Sequence, residues 1–369
     1  MDGAAADARL EARLTALLGL AERIAALEGE ARARADRLLD VWVVTGRTDP
    51  PAELEPWLAE HFGSADAVRS QTVVKVTNLV TLEATLFAPL RGRRPVDGAR
   101  TERTLEEEIA ATEGDPFCSP ETGTPADTFG RVRGARTITG ANAALADAHH
   151  AVIVFDGHDP LAFDDSLVRD LFSTGRAWAD RAREEDPSAA NYMLIWNCLW
   201  RAGGSIVHGH AQALLGTGQH YAALERFRRS ASAYRRVHDR DLVADLVALH
   251  RDLGLTVEAG GVTTVAHLTP IKEREILVVG GQGMDEREPA FADAVARALI
   301  AYRDRMNVRS FNLALWREPL DGRWPGFAPI VRLVDRGDPF SRPSDIGAME
   351  LYGTPIVGAD PYEVIDALR

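Results

Sequence analysis

The stretch Ser205-Ile206-Val207-His208-Gly209-His210-Ala211-Gln212 decides how this chain is read. Two histidines and a glutamine recur at every second position among small and apolar residues. A strand alternates its side chains between faces, so the run predicts His208, His210 and Gln212 on one face. Val207, Gly209 and Ala211 would then pack against another layer. The preceding run, Asn191-Tyr192-Met193-Leu194-Ile195-Trp196-Asn197, is rich in aromatic and branched residues and reads as a second strand. Between the two lies Ala202-Gly203-Gly204-Ser205, a turn whose backbone amides can face a phosphate. The combination suggests a histidine nucleophile, a neutral amide donor and a phosphate-binding turn. A pair of buried structural histidines is the plainer alternative. Three polar groups on one face beside a Gly-Gly-Ser turn favour the site.

Composition narrows the function. The chain has 369 residues, 46% of them hydrophobic, enough for one large domain or two moderate ones. Its formal net charge of -13 argues against an extended nucleic-acid surface. Positive charge for any phosphate must therefore be concentrated locally. Two cysteines, Cys118 and Cys198, do not make a disulfide framework and fit a reducing, cytoplasmic setting. The start, Met1-Asp2-Gly3-Ala4, leads into a charged helical pattern rather than an apolar signal core. Apolar runs such as Ala151 to Phe155 are too short for a bilayer, so no membrane partner is expected.

Periodicity gives the outline. Leu10, Leu14, Leu17, Leu18, Ile24 and Leu27 recur at helical spacing and predict a helix from residue 5 to about 40. Strands are predicted at Val73–Thr77, Glu83–Phe87, Ala151–Phe155, Glu275–Val279, Ser310–Trp316 and Ala328–Val334. Helices are predicted at 164–185, 220–252 and 287–305, with a short one after Pro361. Residues 91–136 read as loops. Strands and helices mix without regular βαβ alternation, which favours α+β over a doubly wound parallel sheet.

Asn197, Gly203-Gly204-Ser205 and His208-Gly209-His210-Ala211-Gln212 together resemble the signature of the galactose-1-phosphate uridylyltransferase-like family of the histidine triad superfamily. The resemblance covers about residues 75–369. It implies a fold of two tandem halves, each an antiparallel sheet flanked by helices. The expected division is a helical extension at 1–70, a catalytic half at 71–216 and a second half at 217–369. It makes His210 the nucleophile on the α-phosphorus of a nucleotide sugar, and Gln212 a donor to the phosphoryl oxygens. The chemistry agrees, since neutral imidazole forms a reactive phosphoramidate and an amide donates hydrogen bonds without supplying a proton to the leaving group.

Further motifs extend the likeness. Asn78-Leu79-Val80-Thr81 and Pro89-Leu90-Arg91-Gly92-Arg93-Arg94-Pro95 resemble the family's N-terminal segment, which makes Arg91 and Arg94 the phosphate clamp. Asp115, Cys118, His158 and His208 resemble a structural zinc site, with Asp115 where a first cysteine would stand. Glu350, in Ala348-Met349-Glu350-Leu351, would accept hydrogen bonds from hexose hydroxyls. Two departures stand out. A histidine pair expected near Ala328-Pro329-Ile330 is absent, and the nucleoside-contacting segment reads Gly140-Ala141-Asn142-Ala143-Ala144-Leu145. Both point away from the usual uridine and galactose pair. His149, His150, His220, His238 and His250 carry no comparable pattern and read as surface or core residues.

The expectation is a homodimeric nucleotidyltransferase that moves a nucleoside monophosphate between a nucleotide sugar and a sugar 1-phosphate. Double displacement would proceed through nucleotidyl-His210, with no organic cofactor and with zinc as the one candidate metal. A phosphorylase, in which inorganic phosphate takes the nucleotidyl group from a nucleotide sugar or a dinucleoside polyphosphate, uses the same half-reaction and is the alternative. A non-catalytic nucleotide-binding protein is a third reading, opposed by the presence of both His210 and Gln212.

Overall fold

The computed structural model describes residues 17–93 and 103–369. In chain order it places helix α1 at Gly29–Leu38, then strands β1 at Leu39–Arg47, β2 at Ser70–Asn78, β3 at Ala84–Phe87, β4 at Thr137–Ala141 and β5 at His149–Phe155. Helix α2 at Asp165–Glu185 leads to β6 at Asn191–Cys198 and β7 at His210–Gly216. The larger elements that follow are α3 at Ala222–His238, α4 at Leu242–Asp252, β8 at Thr256–Ala259, β9 at Val262–Ala266, β10 at Glu273–Val279, α5 at Pro289–Asp304, β11 at Phe311–Trp316, β12 at Ile330–Asp335, β13 at Ile356–Val357 and α6 at Pro361–Leu368, with a short helix at Ala348–Tyr352 before β13.

Nine strands form one sheet in the order β4-β5-β7-β6-β11-β12-β10-β9-β8, and its neighbours pair antiparallel. The run β4-β5-α2-β6-β7 and the run β9-β10-α5-β11-β12 have the same plan. They meet edge to edge where β6 pairs with β11, so the two repeats make a single continuous sheet. A smaller sheet, β1-β2-β3-β13, is antiparallel except for the parallel β3–β13 pair.

Helix α2 shows why the elements form. Asp164 caps it by accepting from Leu167 N at 2.9 Å, satisfying one otherwise orphaned amide. Leu167, Leu171, Phe172, Trp178, Ala179 and Ala182 make a buried stripe at helical spacing. Gly175 lets the helix approach β6: a Cβ there would lie 2.6 Å from the Tyr192 hydroxyl oxygen. Tyr192, Leu194 and Trp196 supply the buried face beneath the helix. Alternation therefore turns Ile195 and Asn197 to the opposite face, with Gln212.

Two expectations change. The extension at 1–70, expected to be helical, contains β1, which pairs along its whole length with β2. Val41-Trp42-Val43-Val44-Thr45 is branched and aromatic, and strand pairing takes such residues over helix. Residues 5–16 of the expected helix, and Arg94, lie outside the described residues. The histidine strand also begins later than expected, at His210, so Ser205–Gly209 is loop. Gly209 sits where a Cβ would come 2.7 Å from the Phe155 ring, which explains a glycine there. Among the described residues no helix is long and apolar enough to cross a membrane.

Candidate active site and metal cluster

His210 opens β7 with its side chain buried. Its Nδ1 lies 2.8 Å from the main-chain oxygen of His208. A carbonyl oxygen only accepts, so Nδ1 carries the proton and Nε2 keeps its lone pair. Burial lowers the His210 pKa from its ordinary value, against the opposing pull of that hydrogen bond. The ring of Phe117 meets it edge-on with centroids 4.9 Å apart. The imidazole is thus neutral, fixed in one tautomer and held in one orientation, which is the state a nucleophile needs.

Gln212 lies two residues further along the same strand face. Its Oε1 accepts from His150 Nε2 at 2.8 Å. The tautomer of His150 follows from its other nitrogen, which accepts from Ala146 N at 3.1 Å. With Oε1 occupied, the amide NH2 of Gln212 is left to donate. No pattern in the sequence marks His150. Its role depends on the β5–β7 register, which sets Val152 opposite Gln212 and brings His150 alongside.

Asn197 and His210 are level across the β6–β7 ladder, two residues beyond the Ile195–Gln212 pair. Asn197 Oδ1 accepts from Asn312 Nδ2 at 2.7 Å, leaving its own NH2 free of protein partners among the described residues. Asn312 in turn accepts from Arg336, which also forks onto Asp345 at 2.7 and 2.9 Å. Asn312 and Arg336 come from the second repeat and were not singled out in the sequence. The turn before the histidines is tightly built. Leu199 and Gly203 have positive φ, and a Cβ on Gly204 would meet the Asn197 oxygen at 2.9 Å. Ser205 is exposed at its end.

Asp115, Cys118, His158 and His208 converge, with ligand atoms all within 4.8 Å of one another. His158 Nδ1 and His208 Nδ1 are 3.2 Å apart, and Cys118 Sγ lies 3.3 Å from the first and 3.5 Å from the second. Each ring's Nε2 faces a main-chain oxygen at 3.0 Å, Ile109 for His158 and Phe155 for His208. Those contacts put the protons on Nε2 and aim both Nδ1 lone pairs at one point. Asp115 Oδ2 is buried there without a partner, while Oδ1 accepts from the amides of Phe117 and Cys118. Two lone pairs, a thiol and an orphaned carboxylate oxygen facing one another are poorly balanced without a cation. The donor set and spacing fit a tetrahedral ion such as zinc.

Two expected residues are not joined to this centre by the described contacts. Arg91 is exposed on the turn after β3, and among the described residues no hydrogen bond or ion pair links it to His210. Glu350 uses Oε2 to accept from Gly347 N at 2.8 Å, as a cap of its own short helix.

The second repeat has a counterpart of the Gln212 pair but no nucleophile. Its register sets Arg332 opposite Leu277, as Gln212 is set opposite Val152. Arg332 Nε donates to Glu275 Oε1 at 2.6 Å, the position matching His150. Ile330 stands where His210 stands. Leu246, Trp316 and Leu277 seal that face.

No protein-family model matches this sequence, and neither does any curated protein. Solved structures do match in fold. An ADP-glucose phosphorylase from Arabidopsis thaliana with bound ADP-glucose aligns with a TM-score of 0.61 at 15% identity, over 80% of this chain and 98% of that one. A galt-like protein from Arabidopsis thaliana aligns at 0.56 and 15% identity, over 70% and 92%. A uridylyltransferase aligns at 0.56 and 15% identity, over 80% and 97%. The chain therefore has the fold that these three structures share.

Proposed function

We propose that this protein is a nucleotidyltransferase acting on a nucleotide sugar through a covalent nucleotidyl-His210 intermediate. The observation that carries the reading is the pairing of a buried, single-tautomer His210 with Gln212, whose Oε1 is already engaged by His150. In the first half-reaction His210 Nε2 forms a bond to the α-phosphorus while the bond to the sugar-phosphate oxygen breaks. The sugar 1-phosphate leaves with the electron pair. Gln212 NH2 donates to the phosphoryl oxygens as charge grows on them, and the backbone near Ser205 lies at the same end of the strand. A second phosphate then attacks the phosphoramidate and restores neutral His210. Since Gln212 cannot pass a proton to water, the intermediate is protected until that acceptor arrives.

Arg91 and Arg94 are assigned the substrate phosphates on the strength of the motif, because guanidinium grips phosphate with two parallel hydrogen bonds. Glu350 and Asn197 are assigned to sugar and phosphate contacts on the same ground, with Gly203, Gly204 and Ser205 forming the turn beneath them. The Asp115, Cys118, His158 and His208 cluster would hold zinc, whose contribution is to neutralise the converging donors. That loop carries Phe117 against His210, and His208 supplies the oxygen that fixes the His210 tautomer. The metal cluster therefore sets the nucleophile's position without touching substrate. A homodimer in a reducing compartment such as the cytoplasm fits the free thiols of Cys118 and Cys198.

The acceptor is a sugar 1-phosphate in the primary reading. Inorganic phosphate is the second reading, favoured by the fold likeness to an ADP-glucose phosphorylase. A panel of UDP-, ADP-, GDP- and CDP-sugars, each offered radiolabelled phosphate or a sugar 1-phosphate, separates them. Label in nucleoside diphosphate identifies the phosphorylase, and label in a new nucleotide sugar identifies the transferase. No turnover of any pair would overturn both.

A further inference from the structure

A cavity of about 720 Å³ opens between α3, α4 and the loop before β12. It lies on the same sheet face as His210 but at the other end of the strands. Val279 in its wall is level with Leu214, through the successive pairs with Ile330, Trp316 and the β6–β7 ladder. Four strand spacings and four residues of rise separate it from His210, roughly 20 Å. It is not part of the centre described above.

The sequence of α3 explains why the space exists. Arg228, Ala231, Ser232, Arg235 and Arg236 fall on one helical stripe and line the cavity. On a helix packed against a sheet this stripe is normally large and apolar. Here its middle is small and its ends are cationic. Gly261, Gly280 and Gly281 line the wall opposite, again without bulk. The floor is apolar, with Val243, Val247 and Val279. Trp324 closes one side, stacked on His220 with centroids 5.2 Å apart and covered by Arg228 at 5.1 Å.

The lining is rich in arginine, and one of these guanidinium groups is left without a carboxylate among the described residues. Arg251 and Arg323 join the three arginines of α3, against Asp241 as the one carboxylate in the lining. Asp241 pairs with Arg235 at 2.6 Å. Glu225, Asp321 and Glu258 engage Arg228, Arg323 and Arg251 from outside the lining. Arg236 has no partner among the described residues. A chain with a net charge of -13 has gathered five guanidinium groups around one ligand-sized space.

We propose that this cavity binds a phosphorylated small molecule carrying a ring. The phosphates would meet the arginines of α3, and the ring would lie on the valine floor beside Trp324. Such a site is separate from the chemistry at His210.

Calorimetric titration with ADP, and with adenosine as the phosphate-free control, tests it on the full-length protein. The wild type should show a class of ADP site that adenosine does not occupy, whether or not the His210 centre also takes ADP. Arg236→Ala, a surface change that should leave folding intact, should weaken that class about tenfold or more. Ser232→Trp, which fills the space, should remove it. Turnover without added ADP should stay within about twofold of wild type in both variants, because neither residue belongs to the His210 centre. Absence of any such class, or a class unchanged in both Arg236→Ala and Ser232→Trp, would overturn the proposal. Adduct formation on His210 is read separately by mass, so failure of one reading does not imitate failure of the other.

Discussion

His150 Nε2 donates to Gln212 Oε1 at 2.8 Å, from a ring whose other nitrogen accepts from the Ala146 amide. This contact decides which end of the Gln212 amide faces substrate. His150 acts through Gln212 and is a positioning residue.

His150→Phe keeps a ring on the strand but has no donor, so Gln212 can turn over. We expect kcat to fall roughly tenfold to a hundredfold, less than the roughly hundredfold to thousandfold of deleting an oxyanion donor, because the amide is misaimed and not removed. KM should change little, and the melting temperature should stay close to wild type. His150→Gln supplies an N–H at similar reach and should recover part of the rate. A His150→Phe enzyme with wild-type kcat would remove His150 from the account.

The metal cluster makes a prediction about both folding and rate. Chelation, or His158→Ala, should lower the melting temperature and also slow His210 nucleotidylation, since Phe117 and His208 sit on the affected loops. Zinc at one equivalent per chain in elemental analysis should accompany full activity. Metal-free protein with unchanged stability and rate would show that hydrogen bonds alone hold the cluster.

The buried Arg332 cluster predicts strong coupling. Glu275 Oε1 meets Arg332 Nε at 2.6 Å, and Glu275 Oε2 accepts from Ile271 N at 2.8 Å. Arg332 also reaches Glu83 at 2.7 Å, tying the small sheet to the large one. Burial raises the Glu275 pKa, but Arg332 outweighs it and holds the carboxyl down at about 2. Arg332→Met takes the guanidinium from that buried charge, leaving it His267 Nδ1 at 3.3 Å and the Ile271 amide, and should cost about 3 kcal/mol. Adding Glu275→Leu should recover much of the loss, as urea unfolding of the double-mutant cycle will read out. Additive losses would contradict the coupling.

Acid should destabilise the fold before the carboxylates titrate. His250 is buried, with Nδ1 donating to Leu246 O at 2.8 Å and Nε2 accepting from Leu268 N at 3.2 Å. Burial pushes its pKa down to about 3, and that of His220 down to about 4. The unfolded chain binds these protons near pH 6.5, and the folded chain does so only at the lower values. Stability is therefore complete above about pH 6.5 and falls as pH drops through that value towards 4. Urea midpoints at pH 7.5, 6 and 5 should decline in that order, with a shallower slope in His250→Gln. Equal slopes for wild type and variant would assign the acid sensitivity elsewhere.

Much of this was legible in the sequence, and the gaps have physical reasons. The stripe of α2 and the branched runs of β5, β6, β11 and β12 announce themselves because burial on one side leaves a periodic pattern. Strand β1 was missed because it follows a helical stretch directly, and only its pairing with β2 distinguishes it. Asp115, Cys118, His158 and His208 were legible as a set through the resemblance of their order to a known zinc site, and the structure brings them together. His150 could not be found, because its meaning lies in a cross-strand diagonal to Gln212. Asn312 and Arg336 were hidden for the same reason, being brought to Asn197 by the β6–β11 junction. The arginine stripe of α3 was readable at helical spacing, but the cavity behind it needed the glycines that flank β9 and β10.

The central claim is covalent chemistry at one atom of one residue. Intact-protein mass spectrometry after brief incubation with each nucleotide sugar, without acceptor, tests it most directly. The account predicts a mass increase of one nucleoside monophosphate on the wild type with the preferred sugar nucleotide. The adduct should be acid-labile as a phosphoramidate is, should disappear on adding the acceptor, and should be absent in His210→Ala. An adduct that persists in His210→Ala, or turnover of a nucleotide sugar by that variant at near-normal rate, would contradict it.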